Sequence, residues 1–300
     1  MQISTKLYNE RALGQFNQIT SDIQNTQARI ATGKQLLRAS DDPSAAVNIA
    51  FAKEQKEILA RFDSNIDRAQ SRLALTESTL GDAINLLTRV QELAIQARND
   101  TYNAEDRKAI GAEVSQLKET LMGFANTRDT QGKFLFSGYR VHTQPFVAND
   151  EGGVDYYGDR GLHAVQISET MKMKMGIDGA EAFLRVRDGD KAVSVFSILT
   201  TIEDELNAGF INAPALDKID NAISHLSIQR TGLGAQLNKG EVQKSAIAKR
   251  MVLMDEDISK MEDADLAKLV TELQSKIVNR DAAQQAFVKI GQQSLFDFIR

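Results

Sequence analysis

Apolar residues recur in steps of four and three from Leu216 to Met261: Leu216, Ile219, Ile223, Leu226, Leu233, Leu237, Ile247, Met251, Met254, Ile258 and Met261. Arg230, Gly240 and Lys244 fill the remaining positions of that register, and no proline interrupts it. A heptad pattern sustained this long predicts one helix of roughly 70 Å that needs partner helices along it. The register then slips. Its next positions, Asp265, Lys268 and Glu272, are charged, and the apolar set moves to Leu266, Val270, Leu273, Ile277, Phe287 and Phe298. One residue turns a helix by about 100°, so the buried face turns at the acidic step Glu262–Asp265, which is the expected hinge.

A second register runs through Phe62, Ile66, Ala69, Leu73, Thr76, Leu80, Ala83, Leu87, Val90, Ala94 and Ala97 without a slip. Ser40-Asp-Asp-Pro43 predicts the start of that helix. Asp42 can cap free N–H groups, and the missing N–H of Pro43 costs nothing at the first helical position. The helix is expected over 43–98. A further helix over 104–128, capped by Asp100 or Asn103, carries Ile110, Val114, Leu117, Leu121 and Phe124. The short connection makes these two helices antiparallel neighbours. Residues 1–40 show a thinner seam of Phe16, Ile19, Ile23, Thr26, Ile30 and Leu37, with a break at Thr32-Gly-Lys34. Such a helix is marginal in water without a partner.

From Gln131 to Asp190 glycines crowd between short alternating runs. Phe134–Phe136, Val154–Tyr156, Val165–Ile167, Met171–Met175 and Phe183–Val186 read as strands. Alternating Met171, Met173 and Met175 fit a strand with one buried face better than a flexible binding surface. Helix returns over 191–208, and Asn212-Ala-Pro214 opens the long final helix. The expected fold is mainly α with a small β-rich insertion. Long antiparallel helices form a rod-like bundle, and the N- and C-terminal helices form a terminal coiled-coil domain. The expected domains are a terminal assembly domain of 1–42 with 263–300, a bundle of 43–136 with 190–262, and an insertion of 137–189.

Composition narrows the function. The net charge of −5 and pI near 5.4 argue against a phosphate-binding surface. No apolar run is long enough to span a membrane. The absence of cysteine excludes disulfides, thiolate catalysis and cysteine-based metal sites. The polar start Met1–Lys6 has no apolar signal core, so general rules place the chain in the cytoplasm. His142, His163 and His225 form no metal-binding spacing, and there is no nucleophile elbow or phosphate loop. Gly232-Leu-Gly234 lacks the third glycine and the preceding strand of a dinucleotide fingerprint, so it reads as close helix packing or a joint. Asp41-Asp42 reads as a cap, Asp188-Gly-Asp190 as a tight turn, and the acidic residues from Asp255 to Asp265 as a solvated face. No catalytic residue, cofactor or metal is expected.

Several segments match a family as a set. Thr32-Gly-Lys34 with Ser40-Asp-Asp-Pro43 and Ala45-Ala46 resembles the N-terminal region of bacterial flagellin-like proteins. Arg230-Thr-Gly-Leu-Gly-Ala235 with Asn238 resembles the segment where their last long helix begins, and Asp263-Ala-Asp-Leu-Ala267, Ala282-Ala-Gln-Gln285 and Ser294-Leu-Phe-Asp-Phe298 resemble their C-terminal region. Gln131–Gly138, Thr143-Gln-Pro-Phe146 and Tyr156-Tyr-Gly-Asp159 resemble the hook-associated junction branch of that superfamily.

The resemblance implies an extracellular structural protein of the flagellum, which overrides the cytoplasmic expectation. It implies export of the unfolded chain through the flagellar type III channel without cleavage. It also implies a ring of copies joining the first hook-associated protein to flagellin, and an export chaperone at the C-terminal region. The terminal seams are expected to be poorly ordered in the free subunit and to pair as a coiled coil on assembly. Phe16, Ile19, Ile23, Ile30 and Leu37 would face Leu266, Val270, Leu273, Ile277 and Phe287, while Leu295 and Phe298 would serve a partner. A filament flagellin with a small outer domain is the alternative, an enzyme the distant third, and an adhesive patch a second role for the insertion.

Overall fold

The computed structural model describes residues 2–149, 153–189 and 191–292. In chain order the elements are α1 (Gln2–Thr32), α2 (Pro43–Ala97), α3 (Ala104–Ala125), β1 (Phe146–Ala148), β2 (Val154–Tyr156), β3 (Ala164–Gln166), β4 (Lys172–Lys174), α4 (Gly179–Leu184), β5 (Val186–Asp188), β6 (Lys191–Val193), α5 (Val195–Asn207), α6 (Ala213–Glu262) and α7 (Leu266–Gln292). The strands form three separate antiparallel pairs, β1–β2, β3–β4 and β5–β6. The described residues divide into two compact units, one of residues up to 58 together with those from 249, the other of residues 59–248. The terminal unit thus reaches past the expected bounds of 42 and 263, and the insertion lies in the same unit as the bundle.

The bundle core follows the heptad register. Ten of the eleven α2 seam residues, from Ile66 to Ala97, have no solvent exposure at all. Only Phe62, at the start, is half-buried. The same unit also buries Ile110, Val114 and Leu121 of α3, Ile198, Leu199, Ile202 and Leu206 of α5, and Ile219, Leu226, Leu233 and Ile247 of α6, with α3 packed on α5. Polar pairs flank the seams. Arg89 meets Glu113 at 3.0 Å, Lys118 meets Glu203 at 2.5 Å, and Arg230 meets Glu77 at 2.5 Å. Lys244 pairs with Asp67. Residue numbers rise along α2 from Asp67 to Glu77 while they fall along α6 from Lys244 to Arg230, so the two helices are antiparallel.

The helix starts have local causes. Asp42 Oδ1 accepts from Ala45 N at 3.0 Å, capping α2 as its sequence predicts. Of the two expected caps for α3, Asn103 serves, and Asp106 completes a capping box. Gly33 ends α1 with φ of +68°, a left-handed conformation that favours glycine. Gly189 turns β5 into β6 with φ of +59°, the tight turn expected at Asp188-Gly189. Gly232 and Gly234 lie within α6.

Two expected strands are something else. Phe134–Phe136 is buried but irregular. Its amides bond out of register, Phe134 N to Val141 O at 2.9 Å and Leu135 N to Thr127 O at 3.0 Å, while Arg72 donates to Phe134 O at 2.8 Å. The run Phe183–Val186 is split, because Asp178 caps the short helix α4 and only Val186 begins a strand. Met173 is buried on β4 whereas Met171 is exposed, so the methionine alternation gives one buried side chain and not a continuous face.

Candidate assembly interface

Nine of the twelve expected assembly residues lie on α1 and α7, which pack against each other in the terminal unit. Both helices have thin seams, so each depends on the other for burial. Ile23 and Thr26 of α1 and Leu269 of α7 are buried. Phe16 meets Phe287 edge to face, with ring centroids 5.8 Å apart at 88°. Lys276 Nζ donates to Thr26 Oγ1 at 3.0 Å and pairs with Glu272 at 2.6 Å. The Glu272 carboxyl is held below its ordinary range chiefly by that lysine hydrogen bond.

Phe16, Ile19, Ile23 and Ile30 on α1 and Leu273, Ile277 and Phe287 on α7 are all buried or half-buried, and of these Phe16 meets Phe287. Leu37 lies beyond the end of α1, in the connection to α2, where its amide donates to Asp41 Oδ2 at 3.2 Å. Leu295 and Phe298 lie outside the described residues. Leu266 and Val270 differ from expectation. Leu266 is 48 % exposed whereas Leu269, three residues on, is 8 % exposed. The apolar arc of α7 is wider than one partner can cover. At about 100° per residue, Leu269 and Phe287 sit on one edge, Val270 and Val288 about 100° round on the other, and half-buried Leu273 and Ile277 between them, while Leu266, also between them, stands exposed at the first position of the helix. Helix α1 takes the first edge and leaves the second in solvent, with Val278 further round.

A polar staple fixes where this pair begins, and the list of apolar seam residues missed it. The turn after α1 and the break between α6 and α7 pair as a short antiparallel bridge at Lys34 and Asp263. Gln35 N donates to Glu262 O at 2.8 Å, and Ala264 N to Gly33 O at 2.9 Å. The Glu262 side chain is buried between Lys34 and Lys53. Hydrogen bonds from Lys34 and then Lys53 hold its carboxyl below the usual range. The acidic step Glu262–Asp265, read as a hinge, is therefore a true helix break. The Thr32-Gly-Lys34 turn was the available signal for its partner.

The segments that marked the junction branch form one knot in the insertion. Tyr156 Oη lies 2.9 Å from both Phe136 O and Asp159 O. Burial, more than the nearby Asp178 and Asp159 charges, pushes the Tyr156 phenol far up. Asp159 Oδ1 accepts from Tyr139 N at 2.8 Å and Gly161 N at 2.7 Å, which holds its carboxyl below the usual range. Gly138 has φ of +70°, and a Cβ there would fall 2.2 Å from Asp159 O. The ring of Phe146 packs against Tyr156, Phe183 and Phe196. Among the described residues no group of three histidine, aspartate or glutamate side chains could hold a metal ion, and no helix is long and apolar enough to cross a membrane. What these surfaces offer is helix packing.

Residues 3–141 match the family described as the bacterial flagellin N-terminal helical region, and residues 216–299 the bacterial flagellin C-terminal helical region. The chain is similar to flagellar hook-associated protein 3 of Escherichia coli, 25% identical over 94% of this chain and 96% of that protein. It is also similar to the flagellin FlaB1 of Treponema pallidum, 27% identical over 98% of this chain and 97% of that protein. Flagellar hook-associated protein-3 from Legionella pneumophila superposes with a TM-score of 0.66 at 20% identity, over 71% of this chain and 98% of that one. That likeness shows the fold, mainly α with a small β-rich insertion.

Proposed function

We propose, given that this chain belongs to the bacterial flagellin family, that it is a junction protein between the flagellar hook and the filament. It is a structural component of the flagellum and not an enzyme. In this reading it leaves the cell unfolded through the flagellar type III channel without cleavage and acts outside the cell. There it assembles as a ring of copies seated on the first hook-associated protein and carrying flagellin. The C-terminal region is the segment an export chaperone would hold.

The observation that carries the reading is the half-covered pair α1–α7. A helix pair that buries Ile23, Thr26 and Leu269 but leaves Leu266, Val270 and Val288 in solvent keeps an apolar edge for neighbours. Ordering that edge on assembly adds its cost at that moment, which ties folding of the terminal unit to position in the flagellum. The junction role, as distinct from a filament role, draws support from the Phe136–Tyr156–Asp159 knot, because the segments that build it are those resembling the junction branch.

The second reading, a filament flagellin with a small outer domain, is favoured by the near full-length similarity to a treponemal flagellin. Polymerisation separates the two. The purified full-length chain, seeded with flagellar fragments, is expected to stay soluble. Growth of long filaments from it alone would establish the flagellin reading instead.

A further inference from the structure

Two connections interrupt the long helices of the terminal unit, and only one of them is written into its own residues. Between α1 and α2, Gly33 takes a left-handed conformation and Pro43 opens the next helix, so a helix cannot run through unbroken. Between α6 and α7 stand Asp263, Ala264 and Asp265. None is glycine or proline, none has a positive φ, and alanine is the strongest helix former. Their own chemistry does not force an end to α6.

What forces it lies elsewhere in the chain. In a helix running on, Ala264 N would donate to Lys260 O, and Glu262 O would accept from Leu266 N. Here Ala264 N donates to Gly33 O at 2.9 Å, and Glu262 O accepts from Gln35 N at 2.8 Å. The turn at 33–35 has thus taken one donor and one acceptor out of the helix ladder. Lys34 and Lys53 hold the Glu262 side chain beside it. The ladder is intact on either side, with Asp263 N on Ser259 O at 2.8 Å and Leu269 N on Asp265 O at 2.9 Å. Local support for the break comes from a cap, in which Asp265 Oδ1 accepts from Lys268 N at 3.1 Å.

We propose that the α6–α7 break is conditional: the turn at 33–35 imposes it, and without that turn α6 runs on into α7 as one helix over 213–292. Starting a new helix is costly, whereas extending one adds a hydrogen bond for each residue fixed. With α1 undocked, α7 and its thin seam are therefore better served as an extension of α6 than as a separate helix. In the run-on helix Lys260 stands three residues from Asp263, and Lys268 three from Asp265, a spacing that favours opposite charges. The arrangement is a switch between the two ends of the chain. Docking of the N-terminal connection breaks the C-terminal rod and sets the direction in which α7 leaves α6. This holds whichever place in the flagellum the chain takes.

Residue-resolved amide exchange of the purified full-length chain tests the switch. The Leu266 and Ala267 amides lie in the first turn of α7 and have no partner within that helix, but in a run-on helix they donate to Glu262 O and Asp263 O. Lys34→Asp together with Gln35→Pro replaces an ion pair with Glu262 by repulsion and removes the amide that holds Glu262 O. This pair of substitutions is expected to slow exchange at Leu266 and Ala267 at least about tenfold relative to wild type at the same pH. Leu266→Pro is the counter-test, because proline fits the first position of α7 but cannot continue a helix. Added to the other two, it should abolish the gain at Ala267. Unchanged or faster exchange at both amides in the doubly substituted chain, or a gain at Ala267 that survives Leu266→Pro, overturns the proposal.

Discussion

Glu262, the last residue of α6, accepts a hydrogen bond from Lys53 of α2 at 2.6 Å. The same carboxylate is bonded by Lys34, and the Glu262 carbonyl accepts from Gln35 N. One residue therefore ties the end of α6 to the connection after α1 and to α2. Its carboxyl is depressed in the folded chain, so the folded state binds the proton less readily than the unfolded state. The stabilisation is present above the unfolded glutamate pKa, about 4.3, and is lost as pH falls through the lower folded value. The protection of the Gln35 and Ala264 amides, taken relative to their intrinsic exchange at each pH, is expected to fall below that range. Glu262→Gln should raise exchange there at neutral pH, by about 1 kcal/mol after allowing for the solvent exposure of both lysines, and should flatten the acid response. An unchanged acid profile in Glu262→Gln would show that other carboxylates govern it.

Phe16 and Phe287 form the aromatic contact between α1 and α7. Phe287→Ala removes a half-buried ring and an edge-to-face pair together worth about 2 kcal/mol. In a dilute monomer, limited trypsin digestion should cut sooner at Arg11 and Arg29 while the fragment from the middle unit persists. Wild-type chain should itself lose its ends before its centre. Full protection of residues 1–35 in the wild-type monomer would contradict ordering on assembly.

Within the bundle, Leu80 and Val242 make opposite tests. Leu80→Ala opens a cavity at a fully buried seam position and should cost about 2–5 kcal/mol in denaturant unfolding. Val242→Ala should change monomer stability by no more than about 0.5 kcal/mol, since the side chain stands in solvent. A large loss for Val242→Ala would mean that the side chain serves the fold of its own chain.

The knot in the insertion predicts a smaller, local effect. Tyr156→Phe leaves the ring packed but removes the donor to Phe136 O and Asp159 O, at a cost of about 1 kcal/mol read by thermal unfolding. Gly138→Ala should cost more than Tyr156→Phe. It adds a left-handed strain to a Cβ that overlaps Asp159 O.

The α2 seam was legible because one period, one partner set and full burial coincide from Ile66 to Ala97. The α7 register was not, for a physical reason. Its apolar arc serves two surfaces, and periodicity cannot say which edge a single chain covers, so Leu266 and Val270 were expected where Leu269 lies. The Phe134–Phe136 run misled because alternation was read as a ladder, whereas Arg72 and the Thr127 and Val141 carbonyls take its hydrogen bonds. Asp178 starting a helix turned Phe183 from strand to helix in the same way. Glu262 was read as part of a solvated acidic face, because its partners Lys34 and Lys53 lie far away in the chain.

The central claim is tested most directly by electron microscopy of cells that lack this chain, with the culture medium assayed for flagellin. The account predicts hooks that end without filaments and flagellin released into the medium, both reversed when the chain is restored. Filaments of normal length on hooks without this chain would contradict it.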